Sequence, residues 1–280
     1  MASMDDWKGD LGRVWGAHTA IMDRMFSPFG DAAQEQLGDL TGQTVLDLGC
    51  GGGESTVALA GAVGRDGVAI GVDVSPDLIA LAAEQRRAAK ADNVALLCAD
   101  ASKLTLGAPA DALFSRFGAM FFDHPIDAYA RLRSQMKPGA MASIICWRGF
   151  KENDWAFAPF VAAAEYLPRV PPLPPGAPGP FAWAKPEESA IPYLAKSGWR
   201  NIRTRPVDHE IVLGDGIAGD PLDAALTFAL TIGPLSARMA SLDKAVKKKI
   251  ADAVRTALEA HLMDGAVRVN GACWLVTAEA

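Results

Sequence analysis

Residues 45–53, VLDLGCGGG, constrain the fold of this 280-residue chain more than any other segment. A short apolar run of strand length, TVLDLG (44–49), gives way to Gly49, Gly51 and Gly53, and a helical pattern through Thr56, Leu59 and Val63 begins at once. A strand that turns through glycines directly into a helix leaves the first helical N–H groups facing the space above the strand end. That space attracts carboxylates and phosphates, and residues without a Cβ let the backbone approach a ligand closely.

The same alternation continues downstream. GVAIGVDV (67–74), NVALLCAD (93–100), DALFSRFG (111–118) and AMASIICWR (140–148) read as further buried strands. Between them, Ser75-Pro76-Asp77 opens a helix with an N-cap, a proline at the first helical position and an early acid. Another helix runs from Ile126 to about Met136, and Lys137-Pro138-Gly139 breaks it. Strands of this length separated by helices imply βαβ units and a parallel sheet.

Residues 1–40 read as helical, with apolar positions that include Leu11, Val14, Trp15, Met22, Met25 and Phe26, punctuated by Pro28 and Gly30 before a second short helix. Beyond Gly149 the regularity stops. A helical piece near 154–167 leads into PRVPPLPPGAPGP (168–180), a stiff, extended stretch of the kind that serves as a lid or binding loop. Then come a helix over 187–197, a strand over 202–213, helices over 220–233 and 236–263, and a closing strand over 267–280. The expected fold is α/β: a Rossmann-like, mostly parallel seven-stranded sheet flanked by helices, with an N-terminal helical segment and a helical C-terminal insertion or cap. The expected division is an N-terminal segment 1–40, a core 41–148, and a C-terminal half 149–280 that completes the sheet and carries the insertion at 214–265.

A dinucleotide site would show G-x-G-x-x-G. Here the spacing is G-x-G-x-G, and Glu54 stands where the third dinucleotide glycine would be, an acid that would repel a pyrophosphate. Asp47, Asp73 and Asp100 fall at or near the carboxyl ends of successive strands, the edge where open α/β sheets bind ligands; each could instead cap a helix.

With those residues in place, the chain resembles the class I S-adenosylmethionine-dependent methyltransferases, especially the small-molecule branch similar to ubiquinone and menaquinone C-methyltransferases. The resemblance covers residues 41–148. It implies S-adenosylmethionine as cofactor and S-adenosylhomocysteine as its product. It implies that Gly49, Cys50 and Gly51 wrap the methionine end with backbone atoms and that Asp47 faces the methionine ammonium, directly or through water. Asp73 would take the ribose hydroxyls, Val74 would pack on the adenine, Asp100 and Ala101 would bind the adenine edge, and the Ser115 carbonyl would meet the ammonium.

The acceptor is less sharply specified. Family members that methylate nucleic-acid or glutamine amides often carry Asn/Asp-Pro-Pro-Tyr at the end of the fourth strand, where this chain has Ser115-Arg116-Phe117-Gly118. The next residues, FGAMFFDHP (117–125), are aromatic and apolar, as are Trp155, Phe157, Phe160, Phe181 and Trp183; they suit either a pocket wall or a core. The reading is methyl transfer by in-line displacement to a small, hydrophobic or aromatic acceptor, in which alignment matters more than acid catalysis. His124 is the titratable residue near this edge that could serve as base. The alternatives are a non-catalytic sensor of S-adenosylmethionine or S-adenosylhomocysteine, and a protein or RNA methyltransferase.

The net charge of −6 and pI near 5.3 argue against a nucleic-acid partner, and Lys247-Lys248-Lys249 on a helix with nearby acids reads as a solvated face. Cys50, Cys98, Cys146 and Cys273 show no metal or redox spacing; no metal is expected, and a reducing compartment is. Without a signal-like N-terminus or a membrane span, the expected location is cytoplasmic, with a small-molecule partner and the homo-oligomeric state left open.

Overall fold

The computed structural model describes residues 7–171, 174 and 176–280. The start of the N-terminal segment (1–6) and residues 172, 173 and 175 of the proline-rich stretch lie outside them. Helices α1 (Asp10–Gly16) and α2 (Thr19–Gln34) precede an alternating series. It comprises β1 (Thr44–Leu48), α3 (Glu54–Val63), β2 (Val68–Asp73), α4 (Pro76–Ala89), β3 (Val94–Cys98), β4 (Ala110–Arg116), α5 (Pro125–Arg133) and β5 (Met136–Trp147). The C-terminal half follows with α6 (Asp154–Ala163), α7 (Ala190–Lys196), β6 (Arg200–Val212), α8 (Pro221–Thr231), α9 (Pro234–Met239), α10 (Lys244–Glu259), β7 (Leu262–Met263) and β8 (Ala266–Glu279).

The main sheet runs in the order β3-β2-β1-β4-β5-β8-β6, and the two-residue β7 pairs with β8. The first five strands are parallel; β8 is antiparallel to both β5 and β6. The expected Rossmann-like, mostly parallel sheet is therefore present. The chain lays β2 and β3 to one side of β1, then crosses to place β4 and β5 on the other. Between β1 and β4 the strand order reverses, and such a switch point opens a crevice at the carboxyl ends of the strands.

Local chemistry sets the helix starts. Ser75 accepts from the Leu78 N–H at 3.4 Å, Pro76 fills the first turn of α4, and Asp77 complements the helix N-terminus. Three expectations need correction. First, α2 continues through Pro28 and Gly30 to Gln34. Proline forfeits a helical hydrogen bond, but Met25, Phe26, Phe29 and Ala33 form a buried stripe that offsets the loss, and Ser143 ties strand β5 to the Ala33 carbonyl at 2.6 Å. Second, the expected helix 236–263 is two helices. Its break is made by Asp243, whose side chain accepts from the Val246 N–H and starts α10 afresh. Third, strand β5 begins before Pro138-Gly139, with a register shift against β4 absorbing that dipeptide.

Helix α10 buries Ile250, Val254 and Leu258 at four-residue spacing, packing on α6 and α8. This C-terminal helical layer sits over the end of the sheet that carries the crevice, so α8 and α9 contribute to its walls. Among the described residues, no helix is long and apolar enough to cross a membrane.

Candidate functional site

At the end of β1 the backbone turns through Gly49 (φ 69°), Gly51 (φ 54°) and Gly53 (φ 88°), conformations that disfavour any side chain. Space imposes a second requirement. A Cβ on Gly49 would stand 2.8 Å from the Gly118 Cα, and one on Gly53 would stand 2.7 Å from the Ala82 Cβ. The N–H groups of Gly49 and Cys50 both donate to the Val72 carbonyl, at 2.9 and 3.1 Å, which seats the loop on the end of β2. Asp73 completes the fastening: its Oδ2 accepts from the Gly51 N–H at 3.0 Å and its Oδ1 from the Ser75 N–H at 2.9 Å. Burial raises the Asp73 carboxyl above the usual range, and these backbone donors pull it partly back.

Above the loop lies a cavity of about 300 Å³ that spans from the loop to a wall of aromatic side chains. Of the residues singled out from sequence, Gly49, Cys50, Gly51, Asp73, Val74 and Ala101 line it. A Cβ built on Gly51 would meet no protein atom within 4 Å, so the bare backbone leaves open space there. Cys50 is buried, and burial raises its thiol well above the ordinary range, which keeps it protonated and unreactive.

The other four sit elsewhere. Asp47 is wholly buried beneath the loop, where its Oδ2 accepts from the Thr56 hydroxyl at 2.6 Å and the Ser55 hydroxyl at 2.8 Å. Its Oδ1 has no partner, and desolvation raises its pKa to about 6 despite the two hydroxyl donors. Ser55, not Asp47, reaches the cavity. Asp100 caps the turn after β3: Oδ1 accepts from the Ser102 N–H and hydroxyl at 2.9 and 2.6 Å, and Oδ2 pairs with Lys103 at 3.3 Å. The Ser115 side chain donates to the Leu48 carbonyl at 2.8 Å and is fully buried between β1 and β4. His124, the expected base, is an exposed residue preceding Pro125 at the start of α5; its ring makes no capping bond, and it is not among the residues that line the cavity. The short turn Ala119–Phe121 folds the apolar residues inward and carries the chain out to solvent before His124.

Sequence reasoning missed a polar cluster that borders the cavity. Arg116, at the end of β4, pairs with Asp23 of α2 at 2.6 Å and with Glu54, the residue after the last loop glycine, at 2.7 Å. Glu54, noted only as an obstacle to a pyrophosphate, is thus neutralised by a cation from a distant strand. Asp23 and Arg116 both line the cavity. Asp23 Oδ2 and Trp7 Nε1 are buried polar atoms without a partner, on residues that line the cavity. Burial, reinforced by the Glu54 charge, raises the Asp23 carboxyl against the opposing pull of Arg116.

The aromatic wall joins residues far apart in the chain. Phe117 and Trp147 stack at 4.1 Å with their rings 7° apart, while Phe26 and Trp155 meet Trp147 at 5.1 and 5.0 Å. Phe117 holds a φ of 60°, a left-handed conformation costly for a bulky residue; the stacking on Trp147 holds it there. Trp155 reaches the cavity, whereas Phe157, Phe160 and Phe181 surround Phe150, and Trp183 packs on Tyr129. Trp7 edges onto Trp15 and Phe121 at 5.4 and 5.2 Å, so the N-terminal segment also closes over the cavity.

Residues 45–139 match a family described as a methyltransferase domain. The aklanonic acid methyltransferase DauC of Streptomyces sp. (strain C5) is 26% identical over 172 residues, which cover 59% of this chain and 75% of that protein. A demethylmenaquinone methyltransferase of Shouchella clausii is 39% identical over 70 residues, 25% of this chain but only 30% of that protein. Among solved structures, the geranyl diphosphate C-methyltransferase of Streptomyces coelicolor, in complex with Mg²⁺, geranyl diphosphate and S-adenosyl-L-homocysteine, superimposes with a TM-score of 0.50 at 18% identity. The superposition covers 90% of this chain and 78% of that one. At that identity the likeness speaks to the fold.

Proposed function

We propose that this chain, a class I S-adenosylmethionine-dependent methyltransferase by its domain match and fold, methylates a small, hydrophobic or aromatic acceptor by in-line displacement. The observation that carries the reading is a cavity in which the glycine loop and the aromatic wall face one space. S-adenosylmethionine, when bound, supplies an electrophilic methyl group on a positively charged sulfur.

The residues present suit that cofactor. Gly49, Cys50 and Gly51 offer backbone groups where a side chain would intrude. Asp73 offers a buried carboxylate to a vicinal diol, and Val74 and Ala101 offer apolar surface for a flat base. In this reading Asp47 acts through Ser55 rather than by touching the ammonium, Asp100 braces the turn that presents Ala101, and Ser115 latches β4 to β1. The aromatic wall excludes water and fixes a flat acceptor by stacking, which holds the attacking atom in line with the methyl group.

The aromatic wall also suits the kind of acceptor for which the two sequence relatives are named, aklanonic acid and demethylmenaquinone. The test is incubation with methyl-labelled S-adenosylmethionine and an extract of source cells, followed by separation of organic-soluble, water-soluble and macromolecular label. Label in the organic fraction is the expected result. Label in protein or RNA would replace the acceptor class. Protein that binds S-adenosylhomocysteine but transfers no label to any fraction would point to a sensor.

A further inference from the structure

We propose that Asp23 is the residue that receives the acceptor: its carboxylate accepts a hydrogen bond from a hydroxyl on an aromatic acceptor and takes that proton as the methyl group is transferred. The proposal rests on the methyltransferase reading and deepens it by naming the functional group the acceptor must carry.

Three observations lead there. Asp23 lines the cavity with its side chain 17% exposed, its Oδ1 is held by Arg116 at 2.6 Å, and its carboxylate keeps acceptor capacity unfilled, since Oδ2 has no partner. A buried acceptor left unpaired is costly, and a ligand that supplies a donor recovers that cost. Second, Arg116 is committed to two carboxylates, Asp23 and Glu54, so the cluster carries a net negative charge. That balance disfavours a carboxylate or phosphate at this point and favours a neutral donor; a cationic amine would have to share the site with the cofactor's own sulfonium charge. Third, the surrounding wall is made of Phe26, Phe117, Trp147 and Trp155, surfaces suited to an aromatic ring rather than to a polar chain.

The chemistry balances. The acceptor O–H bond breaks and its proton passes to the Asp23 carboxylate. The released electron pair forms the bond from the acceptor oxygen to the methyl carbon, and the methyl–sulfur bond breaks with its pair staying on sulfur. The proton leaves to water with the product. The charged groups facing Asp23 are Arg116 from the end of β4 and Glu54 from the start of α3. Burial and Glu54 raise the Asp23 carboxyl while Arg116 lowers it. A base raised in this way takes a proton more readily than an ordinary carboxylate.

The probes are 1-naphthol and 1-methoxynaphthalene, in which a methyl group replaces the hydroxyl hydrogen and removes the donor, titrated calorimetrically into wild-type protein saturated with S-adenosylhomocysteine. 1-Naphthol should bind about tenfold more tightly, the expected return on one hydrogen bond to a charged acceptor. In Asp23→Leu the two probes should bind within about twofold of each other while S-adenosylhomocysteine affinity is retained. Methylation of 1-naphthol by wild type should fall as acid protonates Asp23, in kcat because the base is lost and in KM because the hydrogen bond to a charged acceptor is lost. Equal affinities in wild type, a naphthol preference that survives Asp23→Leu, or no binding of either probe would overturn the role of Asp23 and leave the methyltransferase reading intact. Failure of wild type to bind S-adenosylhomocysteine would sink that reading itself. The wild-type comparison needs no variant to fold.

Discussion

The two halves of the cavity are built from different materials. The loop half is backbone: three glycines in left-handed conformations, the Val72 carbonyl, and Asp73 binding two N–H groups. The aromatic half is side chain, drawn from α2 (Phe26), the exit of β4 (Phe117), β5 (Trp147), α6 (Trp155) and α8 (Phe228). A site made of backbone tolerates little variation, because φ constrains all three glycines and close contact constrains Gly49 and Gly53 as well. A site made of side chains on separate elements can be rewritten one residue at a time without disturbing the sheet. Cofactor binding and acceptor choice are thereby separated within one cavity. They meet where Gly118 lies against Gly49, so close that a Cβ on Gly118 would be 2.9 Å from the Gly49 Cα.

That contact gives the sharpest way to break the division. Gly49→Ala adds a methyl group that would stand 2.8 Å from the Gly118 Cα at a residue with φ 69°. The left-handed conformation alone costs about 1–2 kcal/mol for an L-residue, and backbone against backbone cannot yield by rotating a side chain. S-adenosylhomocysteine affinity should fall about 10³-fold, roughly 4 kcal/mol, by calorimetry. Because Gly118 follows Phe117, acceptor binding should weaken in the same variant. A Gly49→Ala variant that keeps full cofactor affinity would show that the loop is not the binding element.

The next largest effect lies under the loop. Asp47 has a folded-state pKa of about 6 against 3.8 for the free side chain. The folded protein therefore holds this proton more tightly than the unfolded chain. Below pH 4 both states are protonated and there is no penalty. As pH rises from 4 to 6 the unfolded chain releases the proton first and stability falls. Above pH 6 the full penalty is in place, up to about 3 kcal/mol. Asp47→Asn removes this dependence, so the difference in denaturant stability between variant and wild type should grow in the variant's favour between pH 4.5 and 7.5. Asp23 and Asp73 shift in the same direction as Asp47, and Asp100 and Asp111 in the opposite one, but all are common to both proteins and cancel in the difference. A difference that does not change with pH would mean that Asp47 is ionised in the fold at no cost.

The contrast in materials also explains what could be read from the sequence. The loop half is local: VLDLGCGGG encodes the strand, the turn and the helix start within one segment, and Asp73 follows at the end of the next strand. The parallel order was legible for the same reason, as apolar runs alternating with helices. Asp23, Arg116 and Glu54 were not legible as a unit, since α2, β4 and α3 meet only through the crossover of the sheet. Pro28 misled because helix breaking is a local rule and the burial of Phe26 and Phe29 is a tertiary fact. His124 shows the opposite limit: it stands in sequence beside Phe121 and Phe122, which line the cavity, while its own side chain is exposed, and sequence proximity does not carry that difference.

Trp155→Leu tests the aromatic half by itself. Trp155 is buried against Phe26 and Trp147 and lines the cavity far in sequence from the loop. Removing one stacking partner should raise the KM for an aromatic acceptor about tenfold, in keeping with loss of about 1–1.5 kcal/mol of ring contact. S-adenosylhomocysteine affinity should stay within about twofold. An equal loss of both would join the halves into one cooperative unit and remove the reason for treating acceptor choice as separable.

The smallest effect is expected at His124, and the absence of an effect is informative. If proton removal belonged to the helix that follows the aromatic turn, His124→Ala would lower kcat by about 10²-fold, the ordinary contribution of a general base. The exposed imidazole lies outside the cavity, so turnover should remain within about twofold, and any rate loss in acid should be the same in His124→Ala as in wild type. Retained turnover in His124→Ala, together with loss of the naphthol preference in Asp23→Leu, would place the base on α2. The polar group that serves the acceptor would then come from the N-terminal helices and not from the strand ends that hold the cofactor.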